Sequence, residues 1–307
     1  MMKKAQLLGS LILVLVAMIW GTAFAAQRVG MDYIKPVTFT AARMTLAAVA
    51  VGIVALLQKD PDADSGERRK FRRTNITGGI FCGLFLFSGS IFQQIGIVNT
   101  TAGKAGFISA LYILLVPVIS FILFRKRYPW LVWLAVLIGI AGMYLMCMTE
   151  RFTLAHSDVL IIICAFMFTG HILCCDYFVK RGNAIRISAV QMTVTAVISW
   201  LFAFIMETPS IDQIRSALIP ILYCGLVSGG VGFTLQLVAQ KYSDPTVASL
   251  LMSLESVFAA IAGAVLLHER MSARELIGCI IMFSAIIIVQ IPVNEKSGVR
   301  LAGKDCK

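Results

Sequence analysis

The stretch PTVASLLMSLESVFAAIAGAVLL, residues 245–267, carries a single charged side chain, Glu255, in an otherwise apolar run. A bilayer core roughly 30 Å thick is crossed by about twenty helical residues, whereas soluble core helices are shorter and polar along one face. The stretch therefore predicts a membrane-spanning helix. Nine similar runs accompany it, separated by short polar joints. The predicted spans are 7–26, 36–57, 74–95, 100–124, 129–149, 157–178, 186–206, 216–240, 245–267 and 272–292.

The composition agrees with a membrane protein. Hydrophobic residues make up 59% of the chain and charged residues 14%, against roughly 45 to 50% and 25% in soluble domains. We therefore predict an all-α integral membrane protein with the lipid bilayer as its partner. The net charge of +11 is not accompanied by a basic surface interleaved with aromatic residues, which argues against nucleic-acid binding.

The basic residues also predict an orientation. With the N-terminus placed in the cytoplasm, most Lys and Arg outside the spans fall on the cytoplasmic side, so both termini are expected there, in a bacterial cell membrane.

Lys3, Lys4 and Ala23-Phe24-Ala25 resemble a signal peptide, but we expect a retained first helix, because cleavage would spoil the duplication described next. The 8 Cys have neither a disulfide framework nor zinc-site spacing, so no metal or other cofactor is predicted.

An internal duplication is visible when the chain is shifted by 143 residues, which superposes the third to fifth spans on the eighth to tenth. Gln93 then meets Gln236, and Tyr112 meets Glu255. Five spans in each half is an odd number, so the second half must enter the membrane from the opposite side. The predicted units are a first repeat 1–150, a second repeat 151–293 and a cytoplasmic tail 294–307. Inverted repeats place a substrate site near the midplane and work by alternating access, which favours a small-molecule carrier.

Glu255 lies near half depth of its span, where a carboxylate is costly. A substrate-amine contact, a proton-acceptor role and capping by neighbouring hydroxyls are all open for it. Tyr112 is expected at a comparable depth, bordering the same central cavity. Pro117 removes a backbone donor from the fourth span, which produces either a static kink or a hinge.

Other polar residues have simpler interpretations. Arg43 and Lys104 lie near the outer face, where snorkelling to the membrane surface is favoured over anion binding. A hydrogen-bonded core role is favoured for His171 over proton traffic. For Gln93 and Gln236, hydrogen bonding between helices competes with gating.

Enzymatic signatures are absent from the sequence. Gly103-Lys104-Ala105 does not complete a nucleotide-binding loop, and His268-Glu269 lacks the second His of a metalloprotease helix. A receptor would need an output domain, and a channel would need polar rings along a pore. A transporter is therefore the remaining class of protein. Coupling to a proton or another ion is left open, and so is the choice between monomer and homodimer.

Several motifs resemble the EamA-type branch of the drug/metabolite transporter superfamily. Trp20-Gly21-Thr22-Ala23-Phe24 resembles its first-helix W-G-x-x-F pattern, and Arg43 with Ala47 its second-helix motif. Gly103 to Ile108, followed by Val116-Pro117, is similar to the fourth helix of the family. Leu254 to Ala259 resembles the ninth-helix pattern L-E-P-V-F-A, and His268-Glu269-Arg270 resembles the G-E-R that follows it.

The resemblance implies ten helices in two inverted five-helix repeats around a cavity formed by the first, third, fourth, sixth, eighth and ninth helices. It also implies export or import of amino acids or other small metabolites, and in some members of drugs. Of these we expect metabolite export, with multidrug efflux as the alternative. Glu255, Tyr112, Trp20 and the adjacent Gly21 become cavity candidates. Ser256 replaces the usual Pro, which affects the ninth-helix bend, and His268 replaces the usual Gly, which is expected to affect only a loop.

Overall fold

Helices account for the regular secondary structure throughout the computed structural model, which describes residues 2–58, 65–125, 128–147 and 155–290. The first half contains α1 (Met2–Gly30), α2 (Pro36–Leu57), α3 (Ser65–Gly96), a 3₁₀ turn (Ile97–Asn99), α4 (Ala102–Ser109), α5 (Tyr112–Phe124) and α6 (Trp130–Cys147). The second contains α7 (His156–Val179), α8 (Ala184–Met206), α9 (Ile211–Ser216), α10 (Leu218–Leu222), a π-helical segment (Tyr223–Gly232), α11 (Phe233–Gln240), α12 (Pro245–Met252), α13 (Glu255–Leu266) and α14 (Ala273–Gln290). The 150/151 repeat boundary and the tail 294–307 lie outside the described residues.

The all-helical membrane prediction is confirmed. Within the described ranges, 8 helical segments are long and apolar enough to cross a bilayer. They are Lys4–Gly30, Pro36–Leu57, Gly66–Asn99, Ala102–Phe124, His156–Val179, Ala184–Met206, Leu218–Gln240 and Pro245–Leu266. The predicted spans 129–149 and 272–292 correspond to α6 and α14, whose apolar stretches, Trp130–Gly142 and Leu276–Ala285, are shorter.

The predicted fourth and ninth spans are both interrupted near their middle. Between α4 and α5 the interruption falls at residues 110–111, and between α12 and α13 it falls at residues 253–254. Pro117 does not cause it, because Pro117 lies inside α5 and the repeat-related position, Ala260, follows an equivalent interruption. The substitution of Ser256 for Pro does not remove the ninth-span break either. There, the hydroxyls of Ser253 and Ser256 donate to the carbonyls of Leu250 and Ser253, at 2.7 and 2.8 Å.

Helix pairing brings the two halves together. The helix α2 packs on α8, α6 on α14, α3 on α7, and α1 on α11 and α13. Glycines also allow α3 to approach α8 closely, and α1 to approach α13. A side chain at Gly83 would bring its Cβ to 2.8 Å from the Cβ of Val194 on α8, and Gly21 fits against Phe258 on α13. The core is therefore a set of helix-helix contacts arranged around one central space.

Candidate substrate cavity

A small cavity lies at the centre of the bundle, lined by side chains from both halves of the chain. It lies between the six helices that the resemblance implies, and α2 joins them through Arg43. Its lining residues are Trp20, Phe24, Gln27, Arg43, Ser90, Gln93, Tyr112, Phe168, His171, Ile172, Ser228, Phe233, Gln236 and Glu255.

Glu255 and Tyr112 line the cavity from the two interrupted helices. Each is the first residue of its half-helix, Tyr112 of α5 and Glu255 of α13, and both are buried. The Tyr112 hydroxyl interacts electrostatically with the Glu255 carboxyl but makes no hydrogen bond of acceptable geometry. Each group therefore retains capacity to bind a ligand.

Arg43 is buried in the cavity wall with only 3% of its surface exposed. The expected snorkelling to the membrane surface is not observed, because α2 packs on α8 and on the π-helical segment and turns this side chain inward. Its Nε atom has no hydrogen-bond partner, and its Cζ lies 5.9 Å from the centre of the Phe39 ring. Neither Arg43 nor Glu255 forms an ion pair with any described residue. The cavity thus holds one unpaired cation and one unpaired carboxylate.

Aromatic rings form the apolar part of the wall. The Trp20 indole Nε1 donates to the Ser228 carbonyl at 3.3 Å, and its ring centre lies 4.7 Å from that of Phe233. Ser228 belongs to the π-helical segment, a type of helix often found at functional sites. Phe24 follows Trp20 by four residues on α1 and faces the same space, so this part of the cavity suits an apolar or aromatic ligand group.

His171 combines a structural role with a place in the lining. Its Nε2 lies 3.0 Å from the Gln191 Oε1 and 3.4 Å from the Cys175 Sγ, and its ring meets Phe233 edge-on at 5.7 Å. The favoured interpretation, a hydrogen-bonded core histidine, agrees with these contacts.

The repeat-related amides Gln93 and Gln236 face the same cavity, although their spans run in different halves. Gln93 donates through Nε2 to the Ser109 hydroxyl at 3.1 Å. Both amide atoms of Gln236 are buried without a partner among the described residues. Gln93 thus bridges α3 to α4, whereas Gln236 has free hydrogen-bonding capacity toward a ligand.

Three predicted residues do not line the cavity. Gly21 lies in the contact between α1 and α13, where a side chain would clash with α13. Pro117 is buried farther along α5. The Lys104 ammonium forms an ion pair with the Asp158 carboxylate at 2.9 Å, so its role is to join α4 to α7.

Several cavity and anchoring residues escaped the sequence analysis. Gln27 lines the cavity with an unpaired Oε1, and its spacing of seven residues from Trp20 could have identified it as lying on the same helix face. Asp158 was not recognised as a partner for Lys104. Glu269 accepts from the backbone amides of Ala102 and Gly103 at 2.9 and 3.4 Å and so caps α4. The loop that contains His268 and Glu269 therefore also stabilises the start of α4, through the carboxylate of Glu269.

Comparisons with known proteins agree with this architecture. A protein from Archaeoglobus fulgidus described as an uncharacterized transporter is 25% identical over 288 residues, covering 94% of this chain and 87% of the relative. The uncharacterized transporter YoaV of Bacillus subtilis is 20% identical over 279 residues, covering 89% and 93%. A crystal structure with 19% identity superposes with a TM-score of 0.66 over 92% of this chain and 96% of that one, which shows a shared fold.

The family comparison covers both halves of the chain. The model of the EamA-like transporter family matches residues 7–148 and again residues 156–291. This is a transporter family, so the protein acts in transport and not as an enzyme. The chain belongs to the EamA-like transporter family.

Proposed function

We propose that this protein is a secondary transporter of small zwitterionic metabolites, with apolar or aromatic α-amino acids as the leading class. One observation carries the proposal: Arg43 and Glu255 line a single cavity, each without an ion-pair partner among the described residues. A buried charge lacking a partner is costly, so a ligand bearing both opposite charges satisfies both groups at once. The rings of Trp20, Phe24 and Phe233 then receive the apolar part of the ligand.

The groups have distinct roles in this arrangement. The Glu255 carboxylate accepts from the substrate ammonium, and the Tyr112 hydroxyl adds a further polar contact beside it. The Arg43 guanidinium donates to the substrate carboxylate, a pairing suited to the forked geometry of Arg. The free amide of Gln236 adds a donor and an acceptor to the cavity wall.

We further propose ten spans in two inverted five-helix halves that work by alternating access. A shift of 143 residues carries α4 onto α12 (102 to 245) and the start of α5 onto that of α13 (112 to 255). It also carries Arg125 onto His268, the two non-glycine residues with positive φ, 53° and 54°. The family model matches each half separately. These coincidences support a duplication, and an odd number of spans in each half makes it inverted.

The orientation and direction belong to the same proposal. The distribution of Lys and Arg supports cytoplasmic termini. The proposed location is a bacterial cell membrane, and the proposed direction is efflux. A proton or another ion is the proposed coupling partner. Efflux of cationic drugs is the second candidate function, because the carboxylate of Glu255 beside aromatic rings also suits a cation. Arg43 in the same wall disfavours it, since a buried positive charge repels a cationic ligand.

Counterflow in proteoliposomes tests the proposal with three matched compounds: phenylalanine, phenethylamine and 3-phenylpropionate. Phenylalanine carries both an ammonium and a carboxylate. Phenethylamine lacks the carboxylate, and 3-phenylpropionate lacks the ammonium. We expect exchange of phenylalanine only, with Glu255→Gln and Arg43→Gln each lowering it by about 10-fold or more, the cost of a lost charged hydrogen bond. The control Asp212→Asn neutralises an exposed carboxylate and leaves exchange unchanged.

Two results would contradict the proposal. Exchange of the amine at the rate of the amino acid, retained in Arg43→Gln, would support the drug-efflux function instead. Undiminished phenylalanine exchange in Glu255→Gln would remove the carboxylate from substrate binding. Membrane levels of each variant, measured on the same vesicles, separate transport defects from folding defects.

A further inference from the structure

A second, larger recess lies away from the central cavity, between α2, α3 and α8 at the end of the bundle that carries the N-terminus. It encloses about 1900 Å³ including open solvent. Four guanidinium groups line it, those of Arg68, Arg69 and Arg72 on α3 and Arg186 on α8, and no carboxylate of a described residue does. We propose that this groove, hereafter the arginine groove, binds the phosphate headgroup of an anionic phospholipid.

The length of α3 places these arginines at the correct depth. α3 has 32 residues, which corresponds to about 48 Å at 1.5 Å per residue, well beyond a hydrocarbon core of roughly 30 Å. Its apolar part begins after Arg73, so the turns that carry Arg68 to Arg72 extend into the headgroup layer. Basic pockets between helices at this level are recognised binding sites for anionic lipid headgroups.

Three of the four arginines have donors that no described residue occupies. Arg68, Arg69 and Arg72 are exposed and form no hydrogen bond or ion pair with any residue that the structure describes. Arg186 donates through Nη2 to the Gln58 carbonyl at 3.1 Å, which fixes it at the junction of α2 and α8. Arginine suits phosphate because its fork donates two parallel hydrogen bonds.

An independent feature of the groove also indicates a polar ligand. Asn75 is buried, with 3% exposed, and its Oδ1 accepts from the Asn183 amide at 2.8 Å. Asn75 lines the groove, and its Nδ2 has no hydrogen-bond partner within the part of the chain that the structure describes. A buried amide donor without a partner costs free energy, and a phosphate or glycerol-ester oxygen satisfies it.

The remaining lining explains why the ligand is a lipid and not a free anion. Leu56, Ile76 and Val194 continue the groove along α2, α3 and α8 toward the bilayer core. Leu56 is 87% exposed and offers a surface for an acyl chain. The groove therefore joins a cationic end at the membrane surface to an apolar end in the hydrocarbon, which matches an amphipathic anionic lipid.

Native mass spectrometry of the full-length protein, titrated with dioleoylphosphatidylglycerol or dioleoylphosphatidylcholine, tests the proposal independently of transport. We expect tighter binding of the anionic lipid, weakened roughly 10-fold or more in Arg68→Gln/Arg72→Gln, which removes two headgroup-level charges. The matched control Lys70→Gln/Arg73→Gln removes two charges from the same turns of α3 but not from the groove. It is expected to bind like the wild type.

Four outcomes overturn the proposal. The first is equal weakening in both double variants, which indicates a nonspecific charge effect. The second is equal binding of the two lipids, and the third is displacement of the anionic lipid by inorganic phosphate at the same concentration. The fourth is anionic-lipid binding that is seen only in the variant Asp60→Asn/Asp62→Asn/Asp64→Asn. This result would mean that carboxylates of the segment 59–64, and not a lipid, occupy the arginine groove of the wild type.

Discussion

Buried charged residues in this bundle differ in whether they have a partner. Lys104 and Asp158 neutralise each other across the α4–α7 contact, and Glu269 is used as a cap for α4. Arg43 and Glu255 form no ion pair with a described residue, and both face the central cavity. A charge that already has a partner serves the fold, whereas an unpaired charge beside a cavity is available to a substrate. This distinction guides the choice of residues for mutagenesis.

The Lys104–Asp158 pair leads to a stability prediction. The Asp158 side chain is fully buried and that of Lys104 is 16% exposed. Replacing Asp158 with Asn leaves the ammonium buried without its partner, which we expect to lower the free energy of unfolding by about 3 kcal/mol. Denaturant unfolding of the detergent-solubilised protein measures this loss.

A double variant distinguishes pairing from simple packing. Lys104→Met/Asp158→Asn removes both charges and should recover most of the loss, because no uncompensated charge remains. The control Asp212→Asn, at a side chain that is 92% exposed, should change stability little. If the double variant were as unstable as Asp158→Asn, the buried ammonium would not be the cause.

At the scale of elements, the interrupted helices determine where the site lies. The breaks at residues 110–111 and 253–254 make Tyr112 and Glu255 the first residues of α5 and α13. At both places the backbone hydrogen bonds change locally to the tighter i→i−3 pattern. Both side chains therefore lie beside a local distortion near the middle of a membrane-spanning segment, and both line the central cavity.

The end of α13 allows a test of backbone strain. His268 follows the helix with φ 54°, a conformation that costs a residue with a side chain but not glycine. His268→Gly should raise the free energy of unfolding by about 0.5 to 1 kcal/mol through relief of this strain. The greater conformational freedom of glycine in the unfolded chain reduces this gain. The thermal unfolding midpoint measures the change.

The matched control for this change is His156→Gly at the first residue of α7. His156 has ordinary helical geometry, so glycine there should leave stability unchanged or lower it. A gain at both sites, or at neither, would contradict strain at His268 as the cause.

At the scale of the whole molecule, exchanging the two halves preserves the packing. When each helix is replaced by its repeat-related counterpart, the contacts α2–α8 and α6–α14 are unchanged. The α3–α7 contact becomes α11–α1, and the α4–α13 contact becomes α12–α5. All of these contacts are present. Two similar bundles related in this way enclose a cavity to which each contributes equivalent positions, such as Gln93 and Gln236. In the proposed alternating-access mechanism, rocking of one half against the other would expose the cavity to each face in turn.

The inverted arrangement predicts the sidedness of the connecting segments. In a Cys306→Ser background, an impermeant thiol reagent applied to whole cells should label Asp212→Cys, in the segment after α8. It should label Glu67→Cys, at the start of α3, only after permeabilisation. Both positions are exposed. Labelling of both from the same side would contradict the proposed topology.

Sequence alone was sufficient for the features that depend on local composition. The apolar runs predicted the spans because the bilayer requires about twenty consecutive apolar residues in a helix, and motifs such as Trp20 to Phe24 and Leu254 to Ala259 identified the family. The cost of a carboxylate in lipid drew attention to Glu255 in the same way. The 143-residue shift then predicted that Tyr112 would share its depth.

Only the tertiary structure decided which polar groups are paired. Lys104 and Asp158 are 54 positions apart, and nothing local to either residue indicates the other. Arg43 lies close enough to a span end to snorkel, yet helix packing buries it in the cavity wall. The physical reason is that membrane insertion follows the hydrophobicity of each segment, whereas the partners of buried charges depend on contacts between distant helices.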